Sequence, residues 1–188
     1  MKIILMSLLC LLFTMCSNSK SKQDSNWAPD FKHAHPNAQK LMTDEFLWSS
    51  IEESSPFGND DGADAIYKFH EWRKSNETEN PLRFIEYLLK EWNYSVYDYS
   101  RTDSTKIKEF IASKNIGDRI YLGIDDLIIA TGFGQFIMEG KIDQDLKNLT
   151  LTALHRQTKS FSINLFDTNY RVKRLKQLER MIEIINAA

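Results

Sequence analysis

The strongest hydrophobic pattern in the chain is a hairpin over Asp125 to Gln157, DDLIIATGFGQFIMEGKIDQDLKNLTLTALHRQ. From Leu127 to Met138 nearly every position is apolar or small, and a helix that is apolar all round needs neighbours on every side. This arm is therefore expected to be the central helix of the domain. Asp125 or Asp126 is read as its first cap, Gly140 as its left-handed stop, and Asp143 as the cap of the second arm. On that second arm Leu146, Leu149, Ala153 and Leu154 share a face, whereas Lys147, His155 and Arg156 point elsewhere.

The flanking segments read as packing partners. Pro36 to Met42 forms a short helix with proline in its first turn, and Phe46, Leu47, Trp48 and Ile51 make an apolar cluster. Asp60 and Asp61 open a helix carrying Ala63, Ile66, Tyr67, Phe69 or His70, and Trp72, ending near Ser75 or Asn76. Asn80-Pro81 caps a stripe of Leu82, Phe84 or Ile85, Leu88, Leu89 and Trp92. Trp92 to Tyr99 is a short strand or an ordered loop. Asp103 or Ser104 starts a helix with Ile107, Phe110 and Ile111, and Asp118 to Leu122 is at most a brief extended piece. Phe161 to Phe166 is a connector. The last helix runs from Thr168 to Ile185 on Val172, Leu175, Leu178, Met181 or Ile182, and Ile185. Its Arg171, Lys173, Arg174, Lys176 and Arg180 are read as a solvated face. The expected fold is mostly α, a single compact multi-helix domain of about six or seven helices over residues 32–188, built around the hairpin.

The amino terminus has a different character. Lys2 precedes thirteen largely apolar residues, Ile3 to Met15, which match a secretory signal and are too short for a bilayer span of about 20 residues. Cys16 follows, then the polar run SNSKSKQDSN. This arrangement resembles the processing site of bacterial lipoproteins, although Phe13 and Met15 stand where that pattern has a leucine and a small residue. The resemblance implies a signal peptide over residues 1–15, cleavage before Cys16 and lipidation of its thiol. Residues 16–31 would then be a flexible tether, with Trp27 and Phe31 the first side chains able to dock on the body. The implied location is the bacterial cell envelope, lipid-anchored on the periplasmic or surface side; the alternative is secretion to the periplasm.

Composition narrows the functional classes. With 42% hydrophobic and 27% charged residues in 188, the chain has the balance of a globular domain, and a formal charge of −2 offers no net basic field for nucleic acid. The two cysteines, Cys10 and Cys16, both lie in the leader region. The body therefore holds no disulfide framework, thiolate nucleophile or zinc-cysteine cluster.

Three groups of residues are candidates for binding. SPFGNDDGADA brings Asn59, Asp60, Asp61 and Asp64 together, without the spacing of a calcium loop; helix capping accounts for the same residues. His33, His35 and His70 could meet, but a His-x-His pair supplies only half a metal site, and no metal or cofactor is assigned. Gln135, with Thr131 on the apolar arm, either ties helices together or faces a polar pocket, and Arg156 and Gln157 end the opposite arm. The ATGFG run lacks the order of a phosphate loop, and no Gly-x-Ser-x-Gly elbow is present. No catalytic residue is named.

The stretches HAHPNAQKLMTDEFLWSS, SPFGNDDGADAIYKFHEWR and DDLIIATGFGQFIMEGKIDQDLKNLTLTALHRQ resemble the YfeS-like group of uncharacterised bacterial proteins over roughly residues 33–185. The resemblance implies a domain type and assigns no activity. The favoured expectation is a non-enzymatic domain that meets the membrane through its lipid and binds a protein or envelope component. The rivals are an enzyme, or a small-ligand or metal binder, with a pocket edged by Asp60, Asp61, His70, Gln135 and Arg156, and an immunity-type protein.

Overall fold

A computed structural model describes residues 27–188; the expected signal peptide, Cys16 and the tether up to residue 26 lie outside the described residues. The chain is arranged about one long helix, α5 (Gly117–Glu139), buried along almost its whole length. By length and composition this helix could cross a membrane, but 89% of its apolar window is covered by the rest of the domain, which marks it as a core helix. Its covering elements are α1 (Pro36–Leu41), α2 (Asp60–Ser75), α3 (Leu82–Glu91), α4 (Ser104–Ala112) and α6 (Gln144–Gln157). The short α7 (Ser160–Ile163) and the long α8 (Thr168–Ala187) close the far side of α6. Eight α-helices and no strand are present among the described residues, so the mostly α fold around a central hairpin is as expected. The connector over Phe161 to Phe166 supplies the additional helical turn.

The hairpin itself is tightly made. Gly140 ends α5 with φ 69°, the left-handed stop read from the sequence. A Cβ on Gly132 would lie 2.2 Å from Thr150 Oγ1, and one on Gly134 would lie 2.5 Å from Ile66 Cδ1. These two glycines let α6 and α2 approach the axis helix from different sides. Between them lies the core, with Phe69, Phe84, Leu127, Ile128, Phe133, Phe136, Leu154 and Met181 all buried.

Four expectations are corrected. Asp118 to Leu122 is the first turn of α5: Ile120 and Ile124 continue the spacing of Leu127 and Ile128, and the Asp118 carboxylate accepts from the Arg119 N–H at 2.8 Å. Asp125 and Asp126 consequently lie inside the helix and cap nothing. Ile51 and Val172, read as core, are 90% and 78% exposed. Arg156, read as lying off the packed face of its arm, and Arg174, read as part of a solvated face, are 0% and 2% exposed, because each meets polar groups on a neighbouring element. Trp92 to Tyr99 is an ordered loop between α3 and α4.

Candidate functional site

The first turn of α2 faces the start of α5 across a cleft. Asn59 caps α2 by accepting from the Gly62 N–H at 2.7 Å, and Asp60 and Asp61 follow in the turn where the helix dipole favours carboxylates. From α5 come Arg119, Leu122 and Asp126, spaced to share one face. With Glu53 and Gly58 these residues line a cavity of about 310 Å³. Asp60 and Glu53 are exposed at its rim. Asp61 is 8% exposed; it pairs with Arg119 and accepts from the Tyr94 hydroxyl at 3.0 Å.

Asp126 is half-buried in the cleft wall. Desolvation, opposed in part by the positive charge of Arg174, pushes its carboxyl from the ordinary 3.8 up to about 7. It accepts from Gln157 Nε2 at 3.1 Å, and Gln157 Oε1 in turn accepts from Arg174 Nη2 at 2.5 Å. On the other side Arg174 Nη1 donates to Ser54 Oγ at 3.4 Å. Ser54 Oγ lies 2.5 Å from the Tyr170 hydroxyl, which donates to Glu52 at 2.6 Å. The Arg174 guanidinium also lies 3.8 Å from the centre of the Phe166 ring. Its charge is thus shared between two carboxylates, Asp126 and Glu52, each reached through neutral hydrogen-bonding groups. This arrangement reduces the cost of burying a guanidinium against a ring.

At the adjacent positions of α5 and α6, Asp125 and Arg156, a separate network is sealed inside. Asp125 and Arg156 are both fully buried, with Nη2 to Oδ1 at 2.5 Å. Tyr97 donates to the same carboxylate at 3.1 Å, while Arg156 Nη1 donates to the carbonyls of Tyr99 at 2.5 Å and Arg101 at 2.9 Å. Burial pushes the Asp125 carboxyl up and the guanidinium opposes it. One arginine here fixes α6, α5 and the Trp92–Tyr99 loop to one another.

The structure therefore brings Asn59, Asp60 and Asp61 together and disperses the other sequence candidates. Asp64 accepts from Trp92 Nε1 at 2.9 Å and lies 3.7 Å from Lys68. His70 is stacked on Trp27, ring centres 3.9 Å apart, and with His33 and Asp30 lines another cavity; His35 caps α1. Gln135 is buried, donating to Glu139 at 3.0 Å and accepting from the Asp143 N–H at 2.9 Å, so it joins α5 to the turn before α6. Arg156 belongs to the sealed network. Among the described residues no group of three or more acidic, histidine or cysteine side chains is placed to hold a metal. Arg119, Asp126 and Glu53 were missed in the sequence; Arg119 and Asp126 would have been found on one helical face had Asp118 to Leu122 been read as helix.

These features define an all-helical domain with a polar cleft set above buried charge networks. No family model matches the chain. It is 32% identical to the uncharacterised protein YfeS of Escherichia coli (strain K12) over 135 residues, 66% of this chain and 50% of that protein. The chain thus spans about half the length of YfeS. It is also 22% identical over 146 residues to the subtilisin-like protease SBT3.2 of Arabidopsis thaliana, a stretch covering 78% of this chain and 19% of the protease. No solved structure matches.

Proposed function

We propose that the chain is a YfeS-like binding domain held at the bacterial envelope by a lipid on Cys16, and that its cleft grips a cationic group on a protein or envelope partner. The observation that carries the reading is the charge of the cleft. Glu53, Asp60, Asp61 and Asp126 surround one cavity whose single basic lining residue is Arg119, already engaged by Asp61; Asp126 is partly neutral at pH 7, so the free charge is that of Glu53 and Asp60 at the rim. A lysine, an arginine or a small amine entering there meets unpaired carboxylate oxygens at a rim open to water, which favours steering and selectivity. The leader and Cys16 supply the anchor, and several acyl chains at ~0.8 kcal/mol per buried methylene hold far better than one.

One observation favours a catalytic use of the same cleft: a carboxyl with a pKa near 7 is suited to proton transfer at neutral pH. The two uses separate experimentally. A photo-crosslinking amino acid at Glu53, in the rim, should capture a specific partner in cells. The same group at Glu77, two residues past the far end of α2, which is about 24 Å long by helix rise, should not. Equal capture from both positions would refute cleft binding. For the anchor, Cys16→Ala should abolish palmitate incorporation and release the protein from the membrane fraction; no incorporation by the wild type would refute it.

A further inference from the structure

Trp27, where the described chain begins, is part of an aromatic face. With Pro29, Trp48, Phe57, Ile66 and Tyr67 it lines a cavity of about 190 Å³, and Pro29 and Trp48 also wall a second cavity of about 440 Å³ with Phe31. Phe31 is 42% exposed and meets Trp48 edge-on, ring centres 5.6 Å apart. Ser50 lines the first cavity, and its neighbour Ile51 stands 90% exposed. A single exposed isoleucine is ordinary; two tryptophans and a phenylalanine around two hollows that share Pro29 and Trp48, with Ile51 next in sequence to their lining, form a surface of a different kind. Trp48 Nε1 already donates to the Met42 carbonyl at 2.8 Å, so its ring can leave water without stranding a donor.

We propose that this face docks onto the interfacial layer of the bilayer that holds the acyl chains of Cys16, an inference that rests on the lipid-anchor reading above. The length of chain between anchor and face is the argument for this occupant. Eleven residue steps separate Cys16 from Trp27, a reach of at most ~36–40 Å. An anchored molecule therefore holds the face within reach of the lipid at high effective concentration. Tryptophan and phenylalanine are side chains suited to the head-group region, where an apolar ring meets a wet boundary. Charges beside the face include Asp30 and Glu45 in the second hollow and the exposed Lys32 and His33. Both signs are represented, so docking should not require anionic lipid. None of the cleft-lining residues lines the two hollows.

The test uses the full-length lipidated protein in phosphatidylcholine vesicles carrying brominated acyl chains, with palmitate labelling measured on the same samples. Wild-type tryptophan emission should be quenched and blue-shifted, and Phe31→Ser with Ile51→Asp, both at exposed positions, should reduce the quenching about threefold while labelling and helicity are unchanged. Labelled wild type that is quenched no more than this double variant would overturn the docking face alone. Unlabelled wild type would remove the anchor and the docking proposal with it. Quenching lost together with a dimer that the double variant dissociates would overturn the proposal in favour of a second copy of the chain.

Discussion

Arg156→Met leaves the fully buried Asp125 carboxylate facing an apolar side chain. Removing one partner of a buried ion pair costs about 3–5 kcal/mol. The Tyr99 and Arg101 carbonyls also lose their donor, at about 1 kcal/mol or more each. The total, about 5–7 kcal/mol, is comparable to the whole stability of a marginal domain. The Trp92–Tyr99 loop should detach first, because Arg156 holds its end through Tyr99. Urea unfolding followed by far-ultraviolet circular dichroism reads the loss as a lower midpoint. The double variant Asp125→Leu with Arg156→Met removes the stranded charge and should recover at least about 2 kcal/mol, still below wild type because the two carbonyls remain unpaired. A single Arg156→Met change costing under about 1 kcal/mol, or a double variant no better than the single, would refute the assignment of this pair as the pin between α5, α6 and the loop.

Other outcomes follow from the same geometry. Because the Asp126 carboxyl is raised to about 7 in the folded state, the fold binds its proton more tightly than the unfolded chain does. Its contribution is full below about pH 4 and is lost as pH rises through 7. The ceiling is ~4 kcal/mol, lowered to about 1–2 by water reaching the cleft. Asp126→Asn should therefore raise the melting temperature at pH 8 and leave it near wild type at pH 4; equal effects at both would refute it. Gly132→Ala should cost about 2 kcal/mol in urea unfolding by forcing α6 off α5 at Thr150, where an exposed Gly→Ala change in a helix would gain about 1. Gln135→Leu strands the Asp143 N–H and should cost about 1–3 kcal/mol without altering capture from the cleft rim; a loss of capture in a folded variant would place Gln135 in the binding surface.

Helix existence was legible wherever an apolar stripe ran against a clear cap. Asn59 before Asp60, Asp103 before Ser104, and Gly140 after Glu139 each satisfy orphan backbone groups locally, so no distant partner is needed to find them. The start of α5 was not legible in this way. The adjacent carboxylates Asp125 and Asp126 imitate a cap, and only Arg156, 31 residues away in the chain, explains why one of them lies inside the core. The solvated-face reading of α8 failed for the same reason at Arg174, whose partners Gln157 and Ser54 are remote in sequence. The cleft was half legible: its α2 side is one contiguous motif, whereas its α5 side depends on the register of a helix whose first turn looked extended. Long-range pairing of charges leaves no periodic mark, and so the chemistry of the cleft wall emerges only from the fold.

The central claim is that the carboxylate cleft recognises a cationic group. It is tested most directly by reversing one rim charge, Asp60→Lys, in the full-length anchored protein that carries the photo-crosslinking group at Glu53. Adduct yield in cells should fall about tenfold, the equivalent of ~1.4 kcal/mol, with the melting temperature lowered by only a few degrees, because Asp60 is exposed and its place in the first turn of α2 is worth about 1 kcal/mol. An undiminished yield in a folded protein would contradict the account.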